Sequence, residues 1–257
     1  MTGTDYEIVD VNESNLDDYD FLCKKSDKRG EGYQNKVSWI RERFKEGLHI
    51  KLLCVREARG LTSRGFVEYI PGNRTWRAIN AEDYLVIHCL WVVGRWKSKG
   101  FGTKLIQMCI DDAKKLKKAG VAVVTSSRPW LPDKKLLLKF GFEVVDTAPP
   151  SFELLVLRFR QAPPPSFPRD WDNGLKAYGS GMTVVYTPQC PYVAKAVAGV
   201  LKAAKENGIE AKGVELRDTE EVRALAPSAY GTFNMVFNGR LLSYYYLSPK
   251  HLLKLVS

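Results

Sequence analysis

The chain has 257 residues, room for two domains, and its 45% hydrophobic content is that of a globular protein rather than a disordered one. Its net charge is +10, of which +7 falls in residues 1–182, but the excess is not gathered into one block with interleaved aromatic residues, which argues against nucleic-acid binding. No apolar run approaches the ~20 residues needed to span a bilayer, and residues 1–5 do not open a signal peptide, so the expectation is a cytoplasmic protein with no membrane partner. The five cysteines, Cys23, Cys54, Cys89, Cys109 and Cys190, are scattered with neither a disulfide framework nor metal-ligand spacing, so reduced thiols and no metal are expected.

Residues 6–9 read as a short first strand. Val37, Ile40, Arg41 and Phe44 suggest an amphipathic helix ending at Gly47. Residues 50–55 and 64–70 read as two strands joined by a turn. Residues 84–93 are too continuously apolar for a half-exposed strand and read as a central one, buried on both faces. It is followed by a basic, glycine-bearing turn, Lys97-Ser98-Lys99-Gly100-Phe101-Gly102-Thr103, and then by Leu105, Ile106, Cys109, Ile110, Ala113 and Leu116 at helical spacing.

Such a turn is a ready anion site. The first N–H groups of a helix have no partner within it, and its dipole favours negative charge there. Gly100 and Gly102 permit unusual backbone angles and close approach of a ligand, while Lys97 and Lys99 add positive charge. Downstream come a strand at 121–125, a helix around 134–140 and strands at 142–145 and 152–157.

The segment from Lys97 to Gly102 resembles motif A of the GNAT superfamily of acetyl-CoA-dependent N-acetyltransferases, with Lys97 where Gln or Arg is usual. The order of elements from 1 to 161 resembles that fold from end to end, a mixed α/β (α+β) arrangement with a mostly antiparallel sheet flanked by helices. The resemblance implies that acetyl-CoA is the co-substrate. Backbone N–H groups from Lys97 through Ser98, Lys99, Gly100, Phe101 and Gly102 to Thr103 would then hold its pyrophosphate. The backbone of Leu90 and Val92 would pair with the pantetheine arm, and the Leu90 N–H would polarise the thioester carbonyl. The family's usual tyrosine acid is replaced by Leu137, and no asparagine precedes that helix.

Acetylating an amine requires that its ammonium form lose a proton. His88 is the first candidate base, because histidine titrates near neutrality and strand alternation places it on the same face as Leu90. Glu68, on the preceding strand, is the second, as base or as substrate anchor. The same alternation turns Cys89 to the opposite face from His88, where it reads as a small core residue.

Residues 162–182 carry Pro163-Pro164-Pro165-Ser166-Phe167-Pro168 and read as a semi-rigid linker. Residues 183–257 then begin a second domain. Thr187-Pro188-Gln189-Cys190-Pro191-Tyr192-Val193 joins a strand to a helix and resembles the glutaredoxin-like branch of the thioredoxin fold. Val193 stands for the second cysteine and Phe233 for the cis-proline. Cys190 is therefore at most a monothiol nucleophile, its position at a helix start being one that can lower a thiol pKa. The whole architecture resembles YoaP-like proteins. The reading is direct transfer of acetyl from acetyl-CoA to a small amine or amino-acid-like acceptor in a ternary complex. Two alternatives stay open: an acyl-CoA-binding regulator without catalysis, and a protein or peptide N-acetyltransferase whose C-terminal domain binds the partner.

Overall fold

The computed structural model describes residues 5–20, 23–58, 60–128, 130–247 and 249–256. The apolar segments of the first 160 residues form seven strands: β1 (Tyr6–Val11), β2 (His49–Glu57), β3 (Gly60–Pro71), β4 (Tyr84–Val92), β5 (Gly120–Ser126), β6 (Glu143–Ala148) and β7 (Phe152–Arg158). They make one sheet of order β1-β2-β3-β4-β5-β7-β6, antiparallel throughout except for the parallel pair β4 and β5. A parallel pair needs a long crossover, and helix α2 (Phe101–Lys115) supplies it. The mixed, mostly antiparallel sheet flanked by helices is thus the one anticipated.

The helices divide by sheet face. The stripe Leu105, Ile106, Cys109, Ile110 and Ala113 of α2 packs with Leu85, Ile87 and Val123, joined there by Leu137 of the short helix α3 (Lys134–Leu138). On the opposite face α1 (Glu31–Phe44) buries Tyr33, Trp39 and Ile40 with Ile50, Leu52, Phe66 and Ile70.

Residues 162–182 do not cross open solvent. They carry helix α4 (Trp171–Lys176), Ser166 bridges to Asn80, and Phe167 is buried with its N–H donating to Asp146 Oδ2 at 2.8 Å. Prolines remove donors only at their own positions, so Ser166 and Phe167 keep theirs and dock the run onto the first sheet.

Beyond it, β8 (Met182–Tyr186), β9 (Ala211–Glu215), β10 (Phe233–Phe237) and β11 (Arg240–Ser243) form a second sheet of order β11-β10-β8-β9. β8 runs parallel to β9 and antiparallel to β10. Helix α5 (Val193–Glu206) links β8 to β9, α6 (Thr219–Leu225) precedes β10, and α7 (Pro249–Val256) follows β11. One core holds Val86, Ala122, Val124, Phe152 and Leu154 of the first sheet together with Val184, Val197, Phe233, Met235, Tyr244 and Leu252 of the second unit. The second unit therefore shares the α1 face of the large sheet. Among the described residues no helix is long and apolar enough to cross a membrane.

Candidate active site

Two irregularities of β4 create the site. Its pairing with β5 runs only from Tyr84↔Gly120 to Ile87↔Val123, after which β4 continues along β3 to Val92 while β5 continues along β7 to Ser126. The strands splay, and the half of β4 beyond His88 loses its burial. The second irregularity is a bulge: Glu68 pairs with Cys89 and Tyr69 with Ile87, leaving His88 as the extra residue.

The bulge reverses the alternation expected along the strand. Before it Leu85 and Ile87 face α2; after it Leu90 and Val92 do. Cys89 and Trp91 face α1, and the His88 ring lies on that face too, 6.2 Å from the ring centre of Trp39. His88 therefore shares a face with Cys89 and not with Leu90, because one inserted residue switches every side chain beyond it.

A cavity of about 820 Å³ follows the splay from the glycine-bearing turn before α2 to the α1 face. At its outer end lie Lys97, Ser98, Gly100, Gly102 and Thr103, and Leu90 and Val92 line its middle. Of the other two residues expected at the cofactor, Phe101 is buried in the α2 core and Lys99 lies over the Trp96 ring, 4.7 Å from its centroid. Gly100 has φ +80°, a conformation favoured by glycine, and no side chain caps the helix it starts. The preceding turn is held from below by Glu57, whose Oε1 accepts from Arg64 Nε at 2.9 Å, Arg95 Nη2 at 3.1 Å and the Trp96 indole at 3.1 Å.

The inner end gathers Lys36, Glu68, Arg77 and His88, with Cys23, Cys89 and Cys190. Lys36 Nζ donates to Glu68 Oε2 at 2.6 Å with both side chains buried. Nε2 of His88 accepts the Trp76 N–H at 3.2 Å and lies 3.1 Å from Thr75 Oγ1. The ring proton is thereby placed on Nδ1, which faces Glu68 Oε1 at 3.5 Å. Burial lowers His88 to about 4, outweighing the opposing pull of Glu68. Burial pushes Glu68 up, but the Lys36 ammonium and His88 overcome it and hold the carboxyl at about 2.

The thiols are kept protonated. Burial, with Cys190 adding to it, raises Cys23 to about 12; burial likewise raises Cys89 and Cys190. Cys190 comes from the second unit, which also contributes Gln189, Pro191, Tyr192, Tyr230 and Thr232 to the wall. Arg77 ties the units together across this end. Its Nη1 donates to the Tyr230 carbonyl and to Thr232 Oγ1, each at 2.6 Å, and its Nη2 donates to the His88 carbonyl. Neither Arg77 nor the meeting of three cysteines has a local sequence signal. Among the described residues no group of three or more His, Cys, Asp or Glu is placed to hold a metal.

Residues 31–142, from the start of α1 through the turn to the start of β6, match the model of the acetyltransferase (GNAT) family. A protein of Bacillus subtilis (strain 168), described as an uncharacterized N-acetyltransferase, YoaP, is 30% identical over 253 residues, spanning 97% of this chain and 98% of that protein. The chain belongs to the GNAT acetyltransferase family. Membership makes it an acyltransferase; the family match lies within the first unit, and the similarity to YoaP spans both. Solved structures with a similar fold include yncA of Salmonella typhimurium with acetyl-CoA, at 16% identity and TM-score 0.44 over 65% of this chain and 99% of that one. Another is the GNAT family N-acetyltransferase YhbS of Escherichia coli in complex with CoA, at 16% identity and TM-score 0.41 over 62% and 84%.

Proposed function

We propose that this GNAT protein transfers acetyl from acetyl-CoA to the amino group of a small acceptor, directly and within a ternary complex. The observation that carries the reading is one continuous cavity running from the uncapped start of α2, along the unpaired side of β4, to the buried Glu68. Backbone N–H groups of the turn and Lys97 hold the pyrophosphate, as helix starts do for phosphates. The Leu90 N–H polarises the carbonyl under attack. Glu68, anionic at neutral pH, anchors the acceptor's ammonium group, and His88 is a positioning residue that presents Nδ1–H to Glu68. The acceptor reacts from its free-amine fraction, and its proton passes to solvent. Leu137 has no proton to give, and the leaving thiolate draws its proton from solvent too.

The second unit is read as thioredoxin-like. Its strand order, with β8 parallel to β9, antiparallel to β10 and joined to β9 through α5, supports this. Its role at the site is structural, as the wall of the acceptor end. Phe233 is buried against Tyr246 where a cis-proline would shape a thiol site, and burial keeps Cys190 a thiol. Failure of a glutathione mixed disulfide to label Cys190 is the expected result; rapid labelling would restore a redox role.

The decisive experiment pairs binding with kinetics. Gly100→Val forces a β-branched residue to φ +80° at about 1–3 kcal/mol of strain, so acetyl-CoA affinity measured by calorimetry should fall roughly tenfold or more. Initial-velocity patterns against acetyl-CoA and an amine should intersect. Parallel lines would indicate an acetylated enzyme, and binding without transfer to any amine would make the protein a regulator.

A further inference from the structure

One charge at the acceptor end is left over by acetyl transfer. Arg77 lines the cavity at 3% exposure. Its hydrogen-bond partners are the carbonyls of His88 and Tyr230, the Thr232 hydroxyl and, at 3.4 Å, Gln189 Oε1, all of them neutral. The guanidinium also lies 4.8 Å from the Tyr230 ring centroid. Its Nε is buried without a partner, and among the described residues no carboxylate forms an ion pair with it. The carboxylate whose field reaches it is Glu68, which is already bound to Lys36.

The inner cavity therefore carries a net positive charge: Glu68 is one anion against the cations Lys36 and Arg77, its Oε1 is left without a hydrogen bond, and His88 and the thiols are neutral. Neutral acceptors satisfy the N–H groups of a guanidinium but not its charge, and a buried charge without a counterion is strongly unfavourable. A clamp between the two units needs only donors, which a neutral amide would provide. The charge fits a ligand that brings its own anion.

We infer that the acceptor carries a carboxylate as well as its amine, and that Arg77 is the residue that selects it. Glu68 attracts the ammonium group and Arg77 the carboxylate, both from the walls of one cavity, which describes a free amino acid or a close analogue. This deepens the acetyl-transfer reading and rests on it.

The test uses the full chain, acetyl-CoA and matched acceptors that differ by the carboxylate alone: L-phenylalanine against 2-phenylethylamine, L-leucine against isoamylamine, L-lysine against cadaverine and L-histidine against histamine. N-acetylated product is followed by mass spectrometry. In at least one pair the amino acid should exceed its amine in kcat/KM by about tenfold or more. Arg77→Met should bring that ratio towards one with acetyl-CoA affinity retained, while Arg77→Lys keeps most of it. Should the methionine variant fail to fold, the wild-type ratio and the lysine variant still decide. Equal use of amines and amino acids, or a preference unchanged in Arg77→Met, overturns the role of Arg77 and leaves acetyl transfer standing. Transfer to no compound of either set overturns this inference, and if acetyl-CoA nevertheless binds, acetyl transfer falls with it.

Discussion

Both ring nitrogens of His88 are buried, Nε2 accepting from Trp76 and Nδ1 facing Glu68 Oε1 at 3.5 Å, so burial and not residue type sets its chemistry. Two pH dependences follow. In the unfolded chain His88 titrates at about 6.5 and in the folded one at about 4, so the unfolded state binds the additional proton between these values, and folding is progressively disfavoured as pH drops from 6.5 to 4. Glu68, at about 2 against 4.5, contributes stability that is present above pH 4.5 and is lost as pH falls towards 2. Melting temperatures between pH 8 and 4 should decline through the first window, and His88→Gln, although less stable at pH 8, should show a shallower decline. Equal slopes in the two proteins would remove His88 from the account. The second dependence is kinetic: with neither group titrating near neutrality, kcat/KM for the acceptor should rise with pH towards the amine's own pKa without a step near 6.5. A step there that disappears in His88→Gln would make histidine the base after all.

At the scale of the element, the strand-turn-helix of β4 and α2 was legible because its signals are local: a continuous apolar run, then glycines in a basic turn, then a 3.6-residue stripe. The bulge at His88 was not, since one inserted residue changes the strand's register without changing its apolar character, and a rule of strict alternation passes over it. The helix read around residues 134–140 is present as the short α3, whereas Arg77 lies between β3 and β4 in a segment with no motif to single it out. The support under the turn was equally unreadable, because Glu57 meets Arg95 and Trp96 only once β2 and β3 bring it beneath them. Glu57→Gln keeps the shape but discards the charge that orders both partners. The expected outcome is a several-fold higher KM for acetyl-CoA with kcat little changed; an unchanged KM would show that the turn holds its form unaided.

For the molecule as a whole, the change of composition near residue 162 falls between β7, which ends at Arg158, and β8, which begins at Met182, yet it carries no information on how closely the second unit docks. That closeness is written in single glycines whose partners are remote in sequence. A Cβ on Gly32 of α1 would stand 2.3 Å from the Pro191 carbonyl, and one on Gly231 would stand 2.7 Å from the Trp76 carbonyl. Gly32→Ala must therefore displace the Cys190–Tyr192 wall, and acceptor KM should rise while acetyl-CoA affinity holds, since the turn at Gly100 is at the other end of the cavity. The shared core makes the stronger demand. Val86, Ala122, Val124, Phe152 and Leu154 are buried in one cluster with Val184, Phe233, Met235, Tyr244 and Leu252, so removing residues 162–257 would expose a contiguous apolar face in the middle of the large sheet. A chain in which two sheets share a core should unfold in a single cooperative transition by calorimetry, and a fragment of residues 1–161 should aggregate and fail to bind acetyl-CoA. If that fragment were soluble and bound acetyl-CoA as the full chain does, the second unit would be an accessory to the acceptor alone, and the fusion of the cores would have no bearing on the cofactor half of the site.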